Sequence, residues 1–420
     1  MSHAAVIQER DAARALRAVA FTVFLDLLGF GIILPLLPYF AEELGASPAV
    51  VALLATAFSL AQLAMAPVLG RLSDRFGRRP VLLISVAGSA ASAALLGYAG
   101  SVVLVFTSRI IAGMSKANLS TAHAYAADLV APEQRARVMG RLGAAASLGL
   151  VAGPALGALL AVERMPTLPF LVTAGLSVVN FAMVWAWVPE VPGRRGAPSA
   201  RAREASAASA ASVRSFRLSS AIFWLLVVSL LFFIGYTSVQ STFALFTKRT
   251  FGWGSRETGG VLMLMGASMA LAQGLAVPRI VAQLGEMGAA TVGLLVFLGG
   301  AATIGGSAAA GSRVALLVGC VLLVTGAGVL QTTLAALVSL LARADERGLV
   351  LGLRESSGAF GRIFGPILGG LAFEAAGAAW PYAIAGAAAL CGLAIVLVLG
   401  RSRRAQNAQP SSGEQDPAAG

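Results

Sequence analysis

Long apolar runs dominate this chain, and they decide which solvent it folds in. A helix needs about 20 predominantly apolar residues to cross a bilayer. The 420-residue sequence offers twelve such stretches, near 18–40, 49–70, 79–99, 102–126, 138–161, 168–188, 221–246, 257–279, 288–308, 313–336, 348–373 and 379–400. Hydrophobic residues make up 57% and charged residues 12% of the chain, against roughly 25% charge in a soluble domain. The expectation is an all-α membrane protein with twelve transmembrane helices. Residues 1–17 are polar and lack the apolar core of a cleavable signal, so the first run is expected to serve as an uncleaved anchor. Cys320 and Cys391 both sit in apolar runs, which suggests neither a disulfide nor a metal site.

Charge sets the expected orientation. With the N-terminus inside, 22 of the 31 Lys and Arg residues fall in inside segments, five in outside segments and four within spans. That bias follows the positive-inside rule and places both termini in the cytoplasm. It also explains the net charge of +12 without nucleic acid. Residues 189–219, rich in Ala, Ser, Arg and Gly, read as a cytoplasmic linker between a bundle at 18–188 and a second at 220–400. Residues 401–420 read as a disordered tail.

The two halves repeat. Shifting the chain by 212 residues places Glu133 on Asp345, Arg135 on Arg347 and Gly140 on Gly352. The same shift places Gly153 on Gly365, Pro154 on Pro366 and Gly157 on Gly369. Two similar six-helix bundles related about the membrane normal are the architecture of a rocking transporter with its site between the halves.

Charges inside spans need a reason, because each costs at least ~2.5–3.5 kcal/mol at mid-bilayer. Span 1 carries Asp26. Span 4 carries Arg109, Lys116 and His123, which lie with Gly113 and Ser120 within about 40° on one helical face. Span 11 carries Arg354, Glu355 and Arg362. Burial and a nearby cation pull a carboxylate's proton affinity in opposite directions. Asp26 is therefore the leading proton carrier, paired with Arg109, and Glu355 the second candidate; a permanent structural ion pair is the competing reading of each. His123 reads as a satisfied polar residue near the cavity mouth. Tyr236, Gln240 and Phe243 share one side of span 7, and span 10 adds Gln331; polar groups beside aromatics suit a site for amphipathic molecules. Gly149, Gly153 and Gly157 recur every four residues beside Pro154, a face that allows close helix packing.

One loop stands out against this background. The stretch GRLSDRFGRRP, Gly70 to Pro80, gathers four arginines and an aspartate between spans 2 and 3. It resembles a G-x-L-x-D-R-x-G-R-[RK] signature of the major facilitator superfamily, at Gly70, Leu72, Asp74, Arg75, Gly77, Arg78 and Arg79. Further matches lie at Arg109 and Gly113 in span 4, and at Gly140, Gly149, Gly153, Pro154 and Gly157 in span 5, where Ala158 replaces a usual glycine. The chain is similar to twelve-span drug/proton antiporters of the tetracycline-efflux type. GMSKANLSTA in span 4 and LRESSGAFGRIFGP in span 11 resemble animal tetracycline-transporter-like proteins, which are linked to organic anions. The resemblance implies the major facilitator fold, two pseudo-symmetric six-helix bundles. It implies also that Asp74 caps the N-terminal end of span 11, locking the halves together, with Arg75, Arg78 and Arg79 pairing with acids such as Asp128. Span 5 is expected to pack on span 8.

The function expected is proton-coupled efflux of small amphipathic organic compounds by alternating access across the plasma (inner) membrane. The span charges, four cations against two acids, favour an anionic or zwitterionic substrate. Tetracycline-like compounds and organic anions both stay open. An uncoupled facilitator or importer of metabolites is the alternative; a non-transporting receptor would need a larger soluble domain than this chain carries. No nucleotide loop, metal cluster or nucleophile–base pair stands out, so no enzyme activity and no cofactor are expected beyond an ion gradient. A monomer in the lipid bilayer is expected.

Overall fold

The computed structural model describes residues 3–116, 118–130, 132–161, 165–190, 219–343 and 346–408, with side chains except at 3–13, 118–120, 132, 133, 136 and 402–408. The linker at 191–218 and the tail at 409–420 lie outside the described residues.

The described chain is almost wholly helical. The N-terminal half holds α1 (His3–Glu43), α2 (Pro48–Phe76), α3 (Arg78–Gly97), α4 (Val102–Met114), α5 (Asn118–Leu129), α6 (Pro132–Leu160) and α7 (Leu168–Trp187). The C-terminal half holds α8 (Ser220–Phe251), α9 (Ser255–Leu271), α10 (Val277–Ala310), α11 (Arg313–Leu341), α12 (Arg347–Ala376) and α13 (Trp380–Ala408). A π-helical turn, Ala272–Ala276, joins α9 to α10. Pro278 at the start of α10 has no N–H for the regular ladder, a known cause of such widening.

Nine helical stretches among the described residues are long and apolar enough to cross a membrane. One of them, Ser255–Ala310, is long enough to cross twice, and Gly285 at φ +67° turns the chain inside α10. The two further spans are the charged ones. Span 4 is broken between α4 and α5, where a single helix was expected. Ser115 and Lys116 leave the helix there, and the Lys116 side chain reaches into the bundle. Span 11 is α12, whose arginines and glycines lower its hydropathy. The last helix also runs to Ala408, eight residues into the segment expected to be disordered. Alanine, arginine and glutamine are good helix formers.

Each half repeats the same packing. In the N-terminal half α6 lies against α1; in the C-terminal half α12 lies against α8. Glycine makes both contacts possible. A methyl added to Gly153 would sit 2.6 Å from Gly31 Cα, and one added to Gly369 2.8 Å from the Ser238 carbonyl. The glycine face of span 5 thus packs on span 1, not on span 8 as expected. Span 8 meets the neighbouring side of α6, at Pro154 and Ala158 opposite Gly259.

The halves join along two seams, α2 with α12 and α6 with α9. They are sealed at the end away from the arginine-rich loop. Tyr39 hydroxyl lies 2.6 Å from Thr258 Oγ1, and Lys248 Nζ 2.7 Å from Glu42 Oε2. One large apolar cluster runs through both halves, taking in Phe40, Val51 and Leu54 with Val239, Phe243 and Phe246. Towards the arginine-rich end each half keeps its own cluster, around Val19, Tyr125 and Leu142 in one and Val277, Ala289 and Val329 in the other. Methyls placed on Gly70, Gly140 or Gly352 at that end would meet open space. Among the described residues the halves meet at one end and stay apart at the other.

Candidate functional site

The break in span 4 builds the site. It turns Lys116 inward, and Nζ lies 2.6 Å from Asp26 Oδ2 on α1. Ser89 on α3 donates to Asp26 Oδ1 at 3.4 Å. The Asp26 side chain is only 4% exposed. Lys116 also stands 5.1 Å from the centre of the Phe30 ring, one turn beyond Asp26 on α1. The ion pair is therefore made by Lys116, where the sequence favoured Arg109.

Arg109 lines the same cavity, with Ser92, Thr173 and Ser177. It is buried and donates from Nη2 to Ser108 Oγ at 3.5 Å, while its Nε has no hydrogen-bond partner. A buried guanidinium with donor capacity to spare is costly unless something binds it. The pocket therefore combines one carboxylate, two cations and several hydroxyls inside the N-terminal half. Gly113 lets α4 approach α2 closely enough to hold Arg109 there.

A second cavity lies between the halves. It takes in about 620 Å³ including its open mouth. Leu34, Leu150 and Pro154 line it from the N-terminal half; Tyr236, Gln240, Phe243, Met265 and Met269 line it from the other. It is an apolar cleft with one amide and one phenol, and flexible methionines suit an adaptable surface.

Other sequence candidates fall elsewhere. Arg354 Nη1 pairs with Glu355 Oε1 at 2.8 Å, and its Nη2 donates to the Gln331 carbonyl at 2.9 Å. Arg362 lies 5.0 Å from the Phe233 ring centre. Neither cavity is lined by Gln331, Arg354, Glu355 or Arg362. Glu355 is also 66% exposed, the reverse of the burial that marks Asp26. His123 is half-buried on α5 and lines neither cavity. The Ser120 side chain lies outside the described residues.

At the arginine-rich loop, Arg78 gathers three partners: Asp74 at 2.8 Å, Ser73 Oγ at 2.8 Å and Asp128 at 3.4 Å. Arg79 donates to the Trp185 carbonyl at 2.7 Å, and Arg75 stacks on Phe76. Gly77 takes φ +100°, a turn closed to side-chain-bearing residues at low cost. Asp74 is 71% exposed and engages its own loop instead of α12. Glu346, the N-cap residue of α12, makes no capping bond with its own side chain.

Sequence reading missed Phe30, the serines at 89, 92 and 177, and the methionines at 265 and 269. Ser89 and Ser92 are i, i+3 on one face of an apolar helix, a weak signal. The methionines carry none, since they read as ordinary core.

The sequence profile of the Major Facilitator Superfamily matches residues 19–354 and 309–419. This chain belongs to the major facilitator superfamily. Its members are transporters and not enzymes, and as a major facilitator protein it is a multi-pass integral membrane protein. It is 30% identical to "Tetracycline resistance protein, class C" of Escherichia coli, over 91% of this chain and 95% of that one. It is also 30% identical to "Major facilitator superfamily domain-containing protein 10" of Homo sapiens, over 88% and 90% of the two chains. The crystal structure of the human organic anion transporter MFSD10 superposes with a TM-score of 0.66 at 28% identity, covering 92% of this chain and 99% of that one.

Proposed function

We propose that this facilitator exports small amphipathic compounds in exchange for protons, across the plasma (inner) membrane, with both termini cytoplasmic. The observation that carries the reading is the buried Asp26–Lys116 ion pair, 2.6 Å long, beside Arg109. The arginine-rich end is then the cytoplasmic one, and the conformation is inward-open.

The sign of the coupling follows from the charges. A proton and a cationic group both compete for the Asp26 carboxylate. A zwitterion fits that rule: its cationic group meets Asp26 and its acidic group meets Lys116 and Arg109. Protonation from outside then weakens zwitterion binding, which is what exchange requires. The substrate's apolar body would occupy the cleft lined by Tyr236, Gln240 and Phe243. The likeness to a tetracycline resistance protein supports a substrate of this kind.

A second reading rests on the pocket's surplus of one cation. A pure anion competes with Asp26 for Lys116, so protonation of Asp26 strengthens its binding. Proton and anion would then move in the same direction. The likeness to an organic anion transporter supports that reading.

Transport in proteoliposomes separates them. A panel of zwitterionic, anionic and cationic dyes is offered with and without a pH gradient. Zwitterions accumulating against the proton flow support exchange; anions accumulating with it support the second reading. Movement of permanent cations alone would overturn both.

A further inference from the structure

The α2–α12 seam is capped in trans. Ser47 is the N-cap residue of α2, yet its own side chain makes no capping bond. Glu374, near the C-terminus of α12 in the other half, takes that place. Its Oε2 accepts from Ser47 Oγ at 2.9 Å and from Ala49 N at 3.1 Å. A carboxylate at a helix N-terminus satisfies free N–H groups and complements the helix dipole. Close packing brings it there: Gly370, one turn earlier on α12, lies against Pro48, Ala49 and Ala52 of α2. Deeper in the seam Thr56 donates to the Ile363 carbonyl at 3.0 Å.

The opposite end of the same helix pair has the complementary parts, disengaged. Asp74, near the C-terminus of α2, faces solvent and Arg78. Glu346, the N-cap residue of α12, makes no capping bond with its own side chain. Each helix thus carries an acid near its C-terminus and an N-cap residue whose own side chain does not cap. The pseudo-symmetric seam, α6 with α9, is built differently. There α9 is capped by its own Glu257, which accepts from Gly254 N at 3.0 Å. In the loop that echoes residues 70–80, Ala282 stands where Asp74 does.

We propose that Glu374 is a state-determining residue of the transport cycle: it caps α2 and holds this end shut, and opening exchanges that cap for one from Asp74 on α12. The two caps are mutually exclusive because rocking the halves closes one end of the seam as it opens the other. The inference needs alternating access but not the substrate reading, since it concerns the resting balance of states.

The test is the distance distribution between spin labels at Tyr98 and Val314, both exposed at the sealed end, after Cys320 and Cys391 are replaced by serine. The protein is held in lipid nanodiscs without substrate. Glu374→Gln is expected to raise the long-distance, open population three- to tenfold, the scale of one charge-assisted cap. Ser47→Ala, which removes one donor and no charge, is expected to give a smaller shift the same way. Asp74→Asn should shift the balance oppositely. Unchanged distances in both Glu374→Gln and Ser47→Ala would overturn the proposal, as would Glu374→Gln and Asp74→Asn moving the population in the same direction.

Discussion

Lys116 Nζ and Asp26 Oδ2 stand 2.6 Å apart across the N-terminal bundle, ninety residues apart in sequence. Removing one member of a buried ion pair leaves the other's charge without its counterion, a loss of about 3–5 kcal/mol, whereas removing both together costs far less. Lys116→Met is therefore expected to lower the melting temperature in detergent. Adding Asp26→Asn is expected to restore most of the loss. A double variant no more stable than Lys116→Met alone would show that the pair does not stabilise the bundle.

Gln240 is the amide of the apolar cleft. Gln240→Leu keeps the volume and removes its hydrogen bonds. It is expected to raise the substrate KM about five- to tenfold, with maximal rate and melting temperature little changed, because one neutral hydrogen bond contributes ~0.5–1.5 kcal/mol. Initial-rate transport across a concentration series reads the split. An unchanged KM would remove Gln240 from the site.

The glycines of α6 are not equivalent. A methyl at Gly153 would collide with the α1 backbone at Gly31, while one at Gly140 meets nothing within 4 Å. Overpacking costs ~1–3 kcal/mol, so Gly153→Ala is expected to lower thermal stability and expression. Gly140→Ala should leave stability intact. Equal behaviour of the two would contradict the packing described for α1 and α6.

Ala158 stands where a glycine was expected from the family's pattern, and its partner supplies the missing space. A methyl on Gly259 of α9 would lie 2.8 Å from Ala158 Cβ and 2.9 Å from the Pro154 carbonyl. In the other seam the glycine is Gly370 of α12, which the 212-residue shift places on Ala158, facing Ala52 of α2. Gly259→Ala is expected to weaken the seal and stability, and Ala158→Gly to rescue part of that loss. The rescue is partial because the Pro154 carbonyl remains. No rescue at all would mean that the two residues do not share one gap.

Much of this was readable in advance, and for physical reasons. Span count and bundle repeat follow from hydropathy and from a 212-residue shift, because lipid demands long apolar helices and duplicated bundles retain their glycines. Intramembrane charge singled out Asp26, Arg109 and Lys116, since each is too costly to keep idly. Pairing within that set was not readable. It depends on where span 4 breaks, a tertiary outcome fixed by Lys116 turning inward. The same limit explains Gln331, Arg354 and Arg362: charge marked the arginines and an amide marked Gln331, but Arg354 folds back on Glu355 and the Gln331 carbonyl, and none of the three lines either of the two cavities described. Glu374 left no signal, because an exposed acid near a helix end reads as surface until its partner helix is placed.

Proton movement during transport tests the central claim most directly. Proteoliposomes enclosing a pH-sensitive dye are given a zwitterionic substrate of the accepted class, with no imposed gradient. Protons are expected to move opposite to the substrate in the wild type. In Asp26→Asn no proton movement is expected, while downhill substrate flux persists. Proton movement of wild-type size in Asp26→Asn would contradict that claim.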